Sequence, residues 1–205
     1  MSDFSVHELH VWRGDRHVLR GLSFAVAAGD CIHVAGPNGS GKTTLLRVLA
    51  GLLPAEQGSV AWRGRSIAAG RDAHGAAISY LGHSDGLKAD FTARENLAFE
   101  VGLRRRVAPS AIDAVLSRVA LSDAHDRPAR ALSAGQRRRL AMARVMLTDA
   151  PLWLLDEPFT NLDAEGVARL SVVIAEHLDA GGAAFIAAHQ PLAIPGHAAR
   201  RVDLA

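Results

Sequence analysis

A glycine-rich segment that follows a short apolar run contains the residues best suited to holding phosphate groups. It reads Gly36-Pro-Asn-Gly-Ser-Gly-Lys-Thr-Thr44. Its glycines allow successive backbone N–H groups to turn inward around a phosphate, Lys42 supplies a cation, and the hydroxyl of Thr43 can ligate Mg²⁺. The predicted phosphate contacts are Gly36, Pro37, Asn38, Gly39, Ser40, Gly41, Lys42, Thr43 and Thr44.

Two carboxylates follow a second apolar run, Leu152-Trp-Leu-Leu-Asp-Glu157. Asp156 ends the run, where its carboxylate can ligate a metal ion beside the phosphates. Glu157, one residue later, is suited to polarise an attacking water as a general base. Taken alone, an acidic pair at the end of a strand is more often a simple strand cap. Together with the phosphate loop, the pair predicts a P-loop NTPase with Mg²⁺ as the metal.

A third segment, Leu132-Ser-Ala-Gly-Gln136, combines the start of a helix with a glycine. Ser133 and Gln136 have the spacing of a capping box, in which two side chains satisfy free backbone N–H groups. With Gly135 beside the cap, this helix start also offers N–H groups and the positive end of a helix dipole to a phosphate. An ordinary helix start without a ligand is the alternative interpretation.

In this order, the segments resemble the ATP-binding cassette (ABC) ATPases along essentially the whole chain. Residues 132–136 match the family signature, except that Ala134 replaces its first glycine. Residues 161–163 resemble the D-loop, and His189 resembles the switch histidine that contacts the γ-phosphate. In this family two subunits sandwich two ATP molecules, so the resemblance implies a homodimer. It adds four residues to the nucleotide contacts: Ser133, Gly135, Gln136 and Asp163.

The stretch from residue 82 to residue 97 resembles one subgroup of this family in particular. Most members of the family carry a glutamine that contacts Mg²⁺ and the attacking water, and here the corresponding residue is His83. The phrase Gly-His-Ser-Asp-Gly-Leu-Lys, with a capping box from Thr92 to Glu95, is similar to the haem exporter ATPases of cytochrome c biogenesis, the CcmA family. The resemblance implies that His83 is catalytic, together with Glu157 and His189. A hinge histidine that faces solvent is the alternative.

The contact to the adenine ring is less defined than the phosphate contacts. Members of the family often carry a tyrosine about 25 residues before the phosphate loop, where its ring can stack on the base. The nearest aromatic residue here is Trp12. We predict that Trp12 binds the adenine, with a partly exposed strand residue as the equal alternative.

The elements that would position these residues alternate between strands and helices. Alternating hydrophobicity before Gly29 predicts a small antiparallel sheet, and residues 43–53 have helical spacing. Continuous apolar runs predict parallel strands covered on both faces; they lie at residues 31–35, 78–81, 152–155 and 183–187. The predicted fold is α/β: a P-loop NTPase core of the ABC type, with a small N-terminal antiparallel β subdomain and an inserted helical subdomain.

The length of 205 residues suits one domain, which we predict over residues 1–205. Residues 1–82 and 148–205 would form the nucleotide-binding core with its β subdomain. Residues 83–147 would form the helical insert that carries the signature. Helical spacing from residue 91 to about residue 147 supports this division, with a second helix opening at Pro109 or Ser110.

The composition excludes several classes of partner and site. A formal net charge of +2 is too small to indicate nucleic acid. A single cysteine, Cys31, excludes an internal disulfide, and its apolar surroundings indicate a buried structural thiol. No uncharged apolar stretch reaches the roughly 18 residues of a membrane helix, so any role at a membrane would be peripheral.

The resemblance implies an ATPase that powers a membrane complex in c-type cytochrome biogenesis, bound at the cytoplasmic face of the bacterial inner membrane. Its implied partners are an integral membrane permease subunit, cytochrome c maturation proteins that handle haem, and a second copy of the chain. The energy subunit of an ABC transporter for a different substrate is the first alternative. A soluble ABC ATPase acting on DNA or ribosomes is a weaker one, because the chain carries neither a coiled-coil insertion nor a second cassette.

Overall fold

The computed structural model describes residues 3–204, which form two sheets and a set of helices around them. In chain order the elements are β1 (Phe4–Arg13), β2 (Arg16–Val26), β3 (Cys31–Ala35), α1 (Lys42–Leu49), β4 (Gln57–Trp62), β5 (Arg65–Ser66), α2 (Arg71–Ala77), β6 (Ile78–Leu81), α3 (Ala93–Gly102), α4 (Pro109–Arg118), α5 (Ala134–Leu147), β7 (Leu152–Asp156), α6 (Ala164–Asp179), β8 (Ala183–Ala187) and β9 (Arg200–Asp203). Two short 3₁₀ turns, at Ser122–Ala124 and Ala129–Ala131, lie between α4 and α5.

The N-terminal part folds into an antiparallel sheet with the strand order β2-β1-β4-β5. Strands β1 and β2 form a hairpin in which Phe4 lies opposite Val26 and Arg13 lies opposite Arg16. Because side chains alternate across a strand, one face of the sheet buries apolar residues against the main core. The predicted antiparallel sheet is confirmed.

The main sheet is parallel, with the strand order β6-β7-β8-β3-β9. Every residue of β3, β7 and β8 is buried, as expected for strands with helices on both faces. The loops that follow these three adjacent strands leave the sheet at the same edge. The phosphate loop, the acidic pair and His189 therefore meet there, and the α/β fold is as predicted.

The predicted helix at residues 43–53 is shorter than expected, because α1 ends at Leu49. Gly51 follows in the left-handed conformation with a φ of 70°, which an α-helix does not continue through. Three helices, α3 to α5, lie between β6 and β7, and they enclose a separate apolar cluster that includes Leu97, Leu116 and Leu140. Within residues 3–204, no helix is long and apolar enough to cross a membrane.

Two of these helices begin with the capping boxes that the sequence predicts. The Thr92 hydroxyl accepts from the backbone N–H of Glu95 at 3.1 Å, and the Glu95 carboxylate accepts from that of Thr92 at 2.8 Å. Ser133 and Gln136 make the same pair of bonds at the start of α5. Inside α3, the buried amide of Asn96 bonds both the N–H and the carbonyl of Lys88. These bonds hold the loop that follows His83.

Candidate functional site

Most of the predicted site residues line one cavity of about 320 Å³ at the carboxyl edge of the main sheet. It is bounded by the phosphate loop, by the ends of β6, β7 and β8, and by the β1–β2 hairpin. The predicted residues that line it are Asn38, Gly39, Gly41, Lys42, Thr43, Thr44, His83, Asp156, Glu157 and His189. Residues from distant parts of the sequence are therefore brought to one place.

The phosphate loop is a tight turn that only glycine can form at two points. At Gly36, with a φ of 150°, an added Cβ would lie 2.5 Å from the backbone oxygen of Leu204. At Gly41, with a φ of 106°, it would lie 2.5 Å from a methyl group of Val18. The ammonium of Lys42 donates to the carbonyl of Gly36 at 2.8 Å and to that of Pro37 at 3.1 Å. Because α1 begins at Lys42 without a side-chain cap, its first N–H groups are open to an anion.

The phosphate loop is joined to β7 by a hydrogen bond between two predicted metal ligands. The Thr43 hydroxyl donates to the Asp156 carboxylate at 2.7 Å, and the Asp156 residue is 1% exposed. Hydroxyl and carboxylate oxygens are the donors that Mg²⁺ prefers, and this pair faces the cavity beside Lys42. The two residues therefore fit a Mg²⁺ ion bound together with phosphates.

Glu157 is held in an uncommon backbone conformation directly after β7. Its φ is 53°, a left-handed value that costs a residue other than glycine roughly 1 kcal/mol. Its N–H donates to the carbonyl of Ala187 at 2.9 Å. Its Oε1 atom is buried 3.3 Å from Nε2 of His189 and has no hydrogen-bond partner within residues 3–204. A carboxylate oxygen without a hydrogen bond, beside the phosphate loop, can accept a proton from water.

The two predicted histidines approach the cavity from different strands. His189 follows β8, and its position is fixed by His33, whose Nε2 bonds the carbonyl of Ala188 at 3.0 Å. His83 follows β6 and is exposed, and it lines the same cavity as Glu157. The structure thus brings His83 to the side of the cavity that holds the acidic pair.

The predicted adenine contact at Trp12 does not reach this cavity. Its indole is stacked on the His17 ring, with 4.0 Å between the ring centroids and 4° between the planes. The hairpin residues that do line the cavity are Arg13, Arg16 and Val18, which the sequence analysis missed. The sequence did contain a signal for these residues. Successive side chains of a strand point to opposite faces, so Trp12 and Arg13 of β1 cannot both face the cavity.

The signature segment and the D-loop lie outside the cavity and pack against each other. A Cβ added at Gly135 would lie 2.6 Å from the backbone oxygen of Asn161, so only glycine fits at this contact. Asp163 caps α6, and its carboxylate accepts from the N–H of Gly166 at 2.8 Å. Ser133, Gly135, Gln136 and Asp163 thus form a second surface, separate from the phosphate loop of the same chain.

Comparison with known proteins identifies the family. The family model described as "ABC transporter" matches residues 19–160, which is more than half of the chain. The chain belongs to the ABC transporter family. It therefore binds ATP and is an ATPase of the transporter kind, as the sequence resemblance predicts.

Curated relatives of similar length show to which group within the family this ABC ATPase belongs. One is 45% identical over 190 residues, covering 92% of this chain and 90% of its own length, and is named "Cytochrome c biogenesis ATP-binding export protein CcmA 2", from Cupriavidus metallidurans. A relative from Xanthomonas axonopodis pv. citri, named "Cytochrome c biogenesis ATP-binding export protein CcmA", is 46% identical over 200 residues, or 98% of this chain and 92% of its own length. The chain belongs to this cytochrome c biogenesis group of ABC ATPases.

Solved structures of ABC proteins share the fold of this ABC ATPase. A putative ABC transporter ATP-binding protein from Pyrococcus furiosus superposes with a TM-score of 0.86 at 24% identity, covering 98% of this chain and 96% of its own. A bacterial Atm1-family ABC exporter with ATP bound superposes with a TM-score of 0.80 at 25% identity, covering 92% of this chain and 34% of the exporter chain. The similarity to the first of these structures bears on the fold alone.

One buried arginine of this ABC ATPase connects α5, the helix of the signature segment, to the predicted catalytic residues. Arg138 on α5 is 3% exposed. Its guanidinium donates to the carbonyl of Gly82 at 3.0 Å, to that of Glu157 at 2.9 Å and to that of Asp156. It also pairs with the carboxylate of Asp85 at 3.1 Å. Three chain segments around the cavity therefore share one cation.

We predict that Arg138→Met lowers the free energy of unfolding by about 3 kcal/mol, because three backbone carbonyls and a carboxylate lose a buried charged donor. ATP turnover should fall more than ATP affinity, since Glu157 and the loop before His83 lose their support while the phosphate loop does not. Urea unfolding and steady-state ATPase assays would measure the two effects.

Arg137→Met is the matched control. Arg137 is the preceding residue of α5, and among residues 3–204 its guanidinium makes one hydrogen bond, to the carbonyl of Leu132 at 2.7 Å. This variant should unfold within about 1 kcal/mol of the unaltered chain. Equal losses in the two variants would show that Arg138 has no special place in the site.

Proposed function

We propose that this ABC ATPase hydrolyses ATP in the cavity between the phosphate loop and the end of β7. The observation that carries the proposal is the arrangement of Asp156 and Glu157. One carboxylate is hydrogen-bonded to Thr43 and the next has a buried oxygen without a hydrogen-bond partner within the described chain, and both line the cavity that also contains Lys42. The first arrangement suits a metal ligand and the second suits a general base.

Each residue of the cavity has a role in this proposal. The phosphate loop, residues 36–44, surrounds the phosphates with backbone N–H groups, and Lys42 exchanges its bonds to the loop carbonyls for bonds to phosphate oxygens. Thr43 and Asp156 hold Mg²⁺, which would neutralise charge on the phosphates when it is bound. Glu157 takes a proton from the attacking water. His189 contacts the γ-phosphate and orients the Glu157 carboxylate from 3.3 Å away.

His83 would take the role that a glutamine has in most of the family. One nitrogen of a neutral imidazole can accept a hydrogen bond from a water molecule, as a glutamine oxygen does. The residue lines the cavity on a loop whose preceding carbonyl, that of Gly82, bonds Arg138. His83 is therefore suited both to orient the attacking water and to move with the helical insert, residues 83–147, which we propose as a subdomain.

The signature surface points to a second subunit. The capping box binds the N–H groups of Ser133 and Gln136, and α5 also presents the N–H of Gly135 and a positive helix end, yet no phosphate loop of the same chain lies beside them. We propose that these residues and Asp163 contact ATP held by the phosphate loop of a second copy. A homodimer would then close around two nucleotides and open after hydrolysis.

A groove next to the catalytic cavity is suited to a membrane partner. It has a volume of about 410 Å³ and is lined by Leu52, Tyr80, Ser84, Glu100, Arg104 and Arg144. Ser84 is adjacent to His83, and an apolar side chain that lines the groove, that of Leu52, is 65% exposed. We propose that it receives a cytoplasmic segment of an integral membrane permease.

The names of the curated relatives suggest the process that this coupling serves. We propose that the chain is the energy-coupling subunit of a membrane complex in c-type cytochrome biogenesis, peripheral at the cytoplasmic face of the bacterial inner membrane. Other cytochrome c maturation proteins would be its further partners. The support is the 45% and 46% identity, over nearly the whole chain, to proteins named as cytochrome c biogenesis ATP-binding export proteins.

We predict that Glu157→Gln binds ATP but hydrolyses it at least about 100-fold more slowly, because the general base is lost while every phosphate contact remains. The variant should accumulate as an ATP-bound dimer, which size-exclusion chromatography with light scattering would detect. Lys42→Ala should instead lose ATP binding and stay monomeric. Normal turnover in Glu157→Gln would remove this residue from the mechanism.

Ala134→Asp in the Glu157→Gln background separates the dimer from ATP binding. Ala134 is exposed at the first position of α5, where an acidic side chain is compatible with the helix dipole, so folding is preserved. The new carboxylate would repel the phosphates of the facing subunit. ATP binding should remain and the dimer should be lost. A dimer that persists would contradict the role of the signature surface.

We predict that His83→Gln retains substantial ATP turnover and that His83→Ala loses most of it, since the glutamine oxygen can accept the same hydrogen bond from water. Steady-state ATPase assays on the membrane complex would compare the two variants. If His83→Ala hydrolyses ATP as fast as the unaltered chain, the residue is a hinge histidine that faces solvent.

We predict that Leu52→Glu prevents co-purification with the membrane permease, because a charge replaces an exposed apolar side chain that lines the groove. Val172→Glu is the control, since Val172 is also apolar and is 47% exposed on α6. Affinity purification from detergent-solubilised membranes, followed by mass spectrometry, would measure the retained permease. Equal retention in both variants would contradict the proposed groove.

A further inference from the structure

The nucleotide cavity has a polar, arginine-rich wall where the sequence resemblance predicts an aromatic ring. The proposed catalytic residues Asp156, Glu157 and His189 lie together at the end of the cavity where β7 and β8 finish, next to Thr43. The γ-phosphate must lie at that end, beside the base that activates water. A nucleotide that runs along the phosphate loop therefore has its base at the other end, against the β1–β2 hairpin. The hairpin side chains there are Arg13, Arg16 and Val18.

The two hairpin arginines are cross-strand neighbours that both line the cavity. Arg13 and Arg16 face each other across the strands on either side of the Gly14-Asp15 turn. Arg16 lies over the phosphate loop, since a Cβ added at Gly39 would be 3.7 Å from its Nη1 atom. Within residues 3–204, neither guanidinium forms an ion pair; the pairs of this sheet involve Glu8 and Arg63 instead.

Arg13 and Arg16 are thus exposed cations that line the proposed nucleotide site. Within the described residues no carboxylate pairs with either guanidinium, so both are available to a ligand. A guanidinium is planar, and it can stack on an aromatic ring as well as pair with a phosphate. The one nearby indole, that of Trp12, is already covered on one face by His17 and is absent from the cavity wall. The flat face of an arginine is the remaining surface for the base.

We infer that Arg13 stacks on the base of the nucleotide in place of an aromatic residue and that Arg16 binds its phosphates. The inference rests on the proposed ATP site and names the residues that recognise the rest of the nucleotide. A stacked guanidinium contacts the face of the base and reads none of its edge groups. The site would therefore bind ATP and GTP with affinities within about threefold of each other.

Binding of three probes to the full chain tests the two roles separately: ATP, GTP and inorganic tripolyphosphate. Arg16→Ala should weaken all three by about tenfold, the contribution of a partly exposed charge-assisted hydrogen bond. Arg13→Ala should weaken ATP and GTP equally, by about threefold to fivefold, and should leave tripolyphosphate unchanged. Isothermal titration calorimetry would give the dissociation constants.

Two further substitutions distinguish stacking from charge at residue 13. Arg13→Tyr should restore the affinity for ATP because it supplies a flat ring, while Arg13→Lys should remain weak because it keeps the charge without the plane. Arg20→Ala is the control, since Arg20 is an exposed arginine of β2 that bonds the His17 carbonyl and lies outside the cavity. Trp12→Phe should bind ATP normally.

The inference is overturned if Arg13→Ala binds ATP as tightly as the unaltered chain, or if Trp12→Phe weakens ATP binding while Arg13→Ala does not. An equal loss of tripolyphosphate binding in Arg13→Ala would make Arg13 a phosphate contact and remove its role at the base. Unchanged binding of all probes in Arg16→Ala would remove the second role. Failure of the underlying ATP site would look different: the unaltered chain would not bind ATP, or Lys42→Ala would bind it normally.

Discussion

The arrangement of this molecule depends on one buried cation, the guanidinium of Arg138. It belongs to the signature helix α5, yet its partners are the carbonyls of Gly82, Asp156 and Glu157 and the carboxylate of Asp85. A buried guanidinium is costly unless its donors are satisfied, so these partners cannot move away independently. The bonds of Arg138 consequently hold α5, the end of β7 and the loop that carries His83 in fixed positions relative to one another.

This constraint explains how Glu157 keeps its uncommon backbone. A glutamate with a φ of 53° is held in place only where neighbouring bonds compensate for the cost. The N–H of Glu157 is bound by Ala187, and its carbonyl is bound by Arg138. With both backbone groups fixed, the side chain turns away from the course of β7 and into the cavity. The strain is therefore part of what directs the carboxylate toward His189.

The sequence predicted the features that depend on local patterns. The strands Cys31–Ala35, Ile78–Leu81 and Ala183–Ala187 have the predicted bounds, because buried parallel strands are continuous apolar runs between turn residues. Edge strand β9 contains a single apolar residue, Val202, and so gave no such signal. The sequence analysis also missed part of the cavity wall. It chose Trp12 because that residue is aromatic, but the pairing of β1 and β2 decides which side chains face the cavity, and Arg13 is the one that lines it.

The contact between Gly135 and Asn161 links the two surfaces of the proposed dimer within one chain. Gly135 belongs to the signature, which would face the nucleotide of the second subunit. Asn161 lies four residues after Glu157, which would act on the nucleotide of its own subunit. The approach is too close to admit a Cβ, so a shift of the signature toward Asn161 on contact with a phosphate would displace the backbone there. The segment from residue 157 to residue 163 is short and ends in the cap of α6, where Asp163 is bound to Gly166. A displacement of that segment would therefore be taken up near Glu157, so that the Glu157 carboxylate of each proposed site would respond to the occupancy of the opposite site.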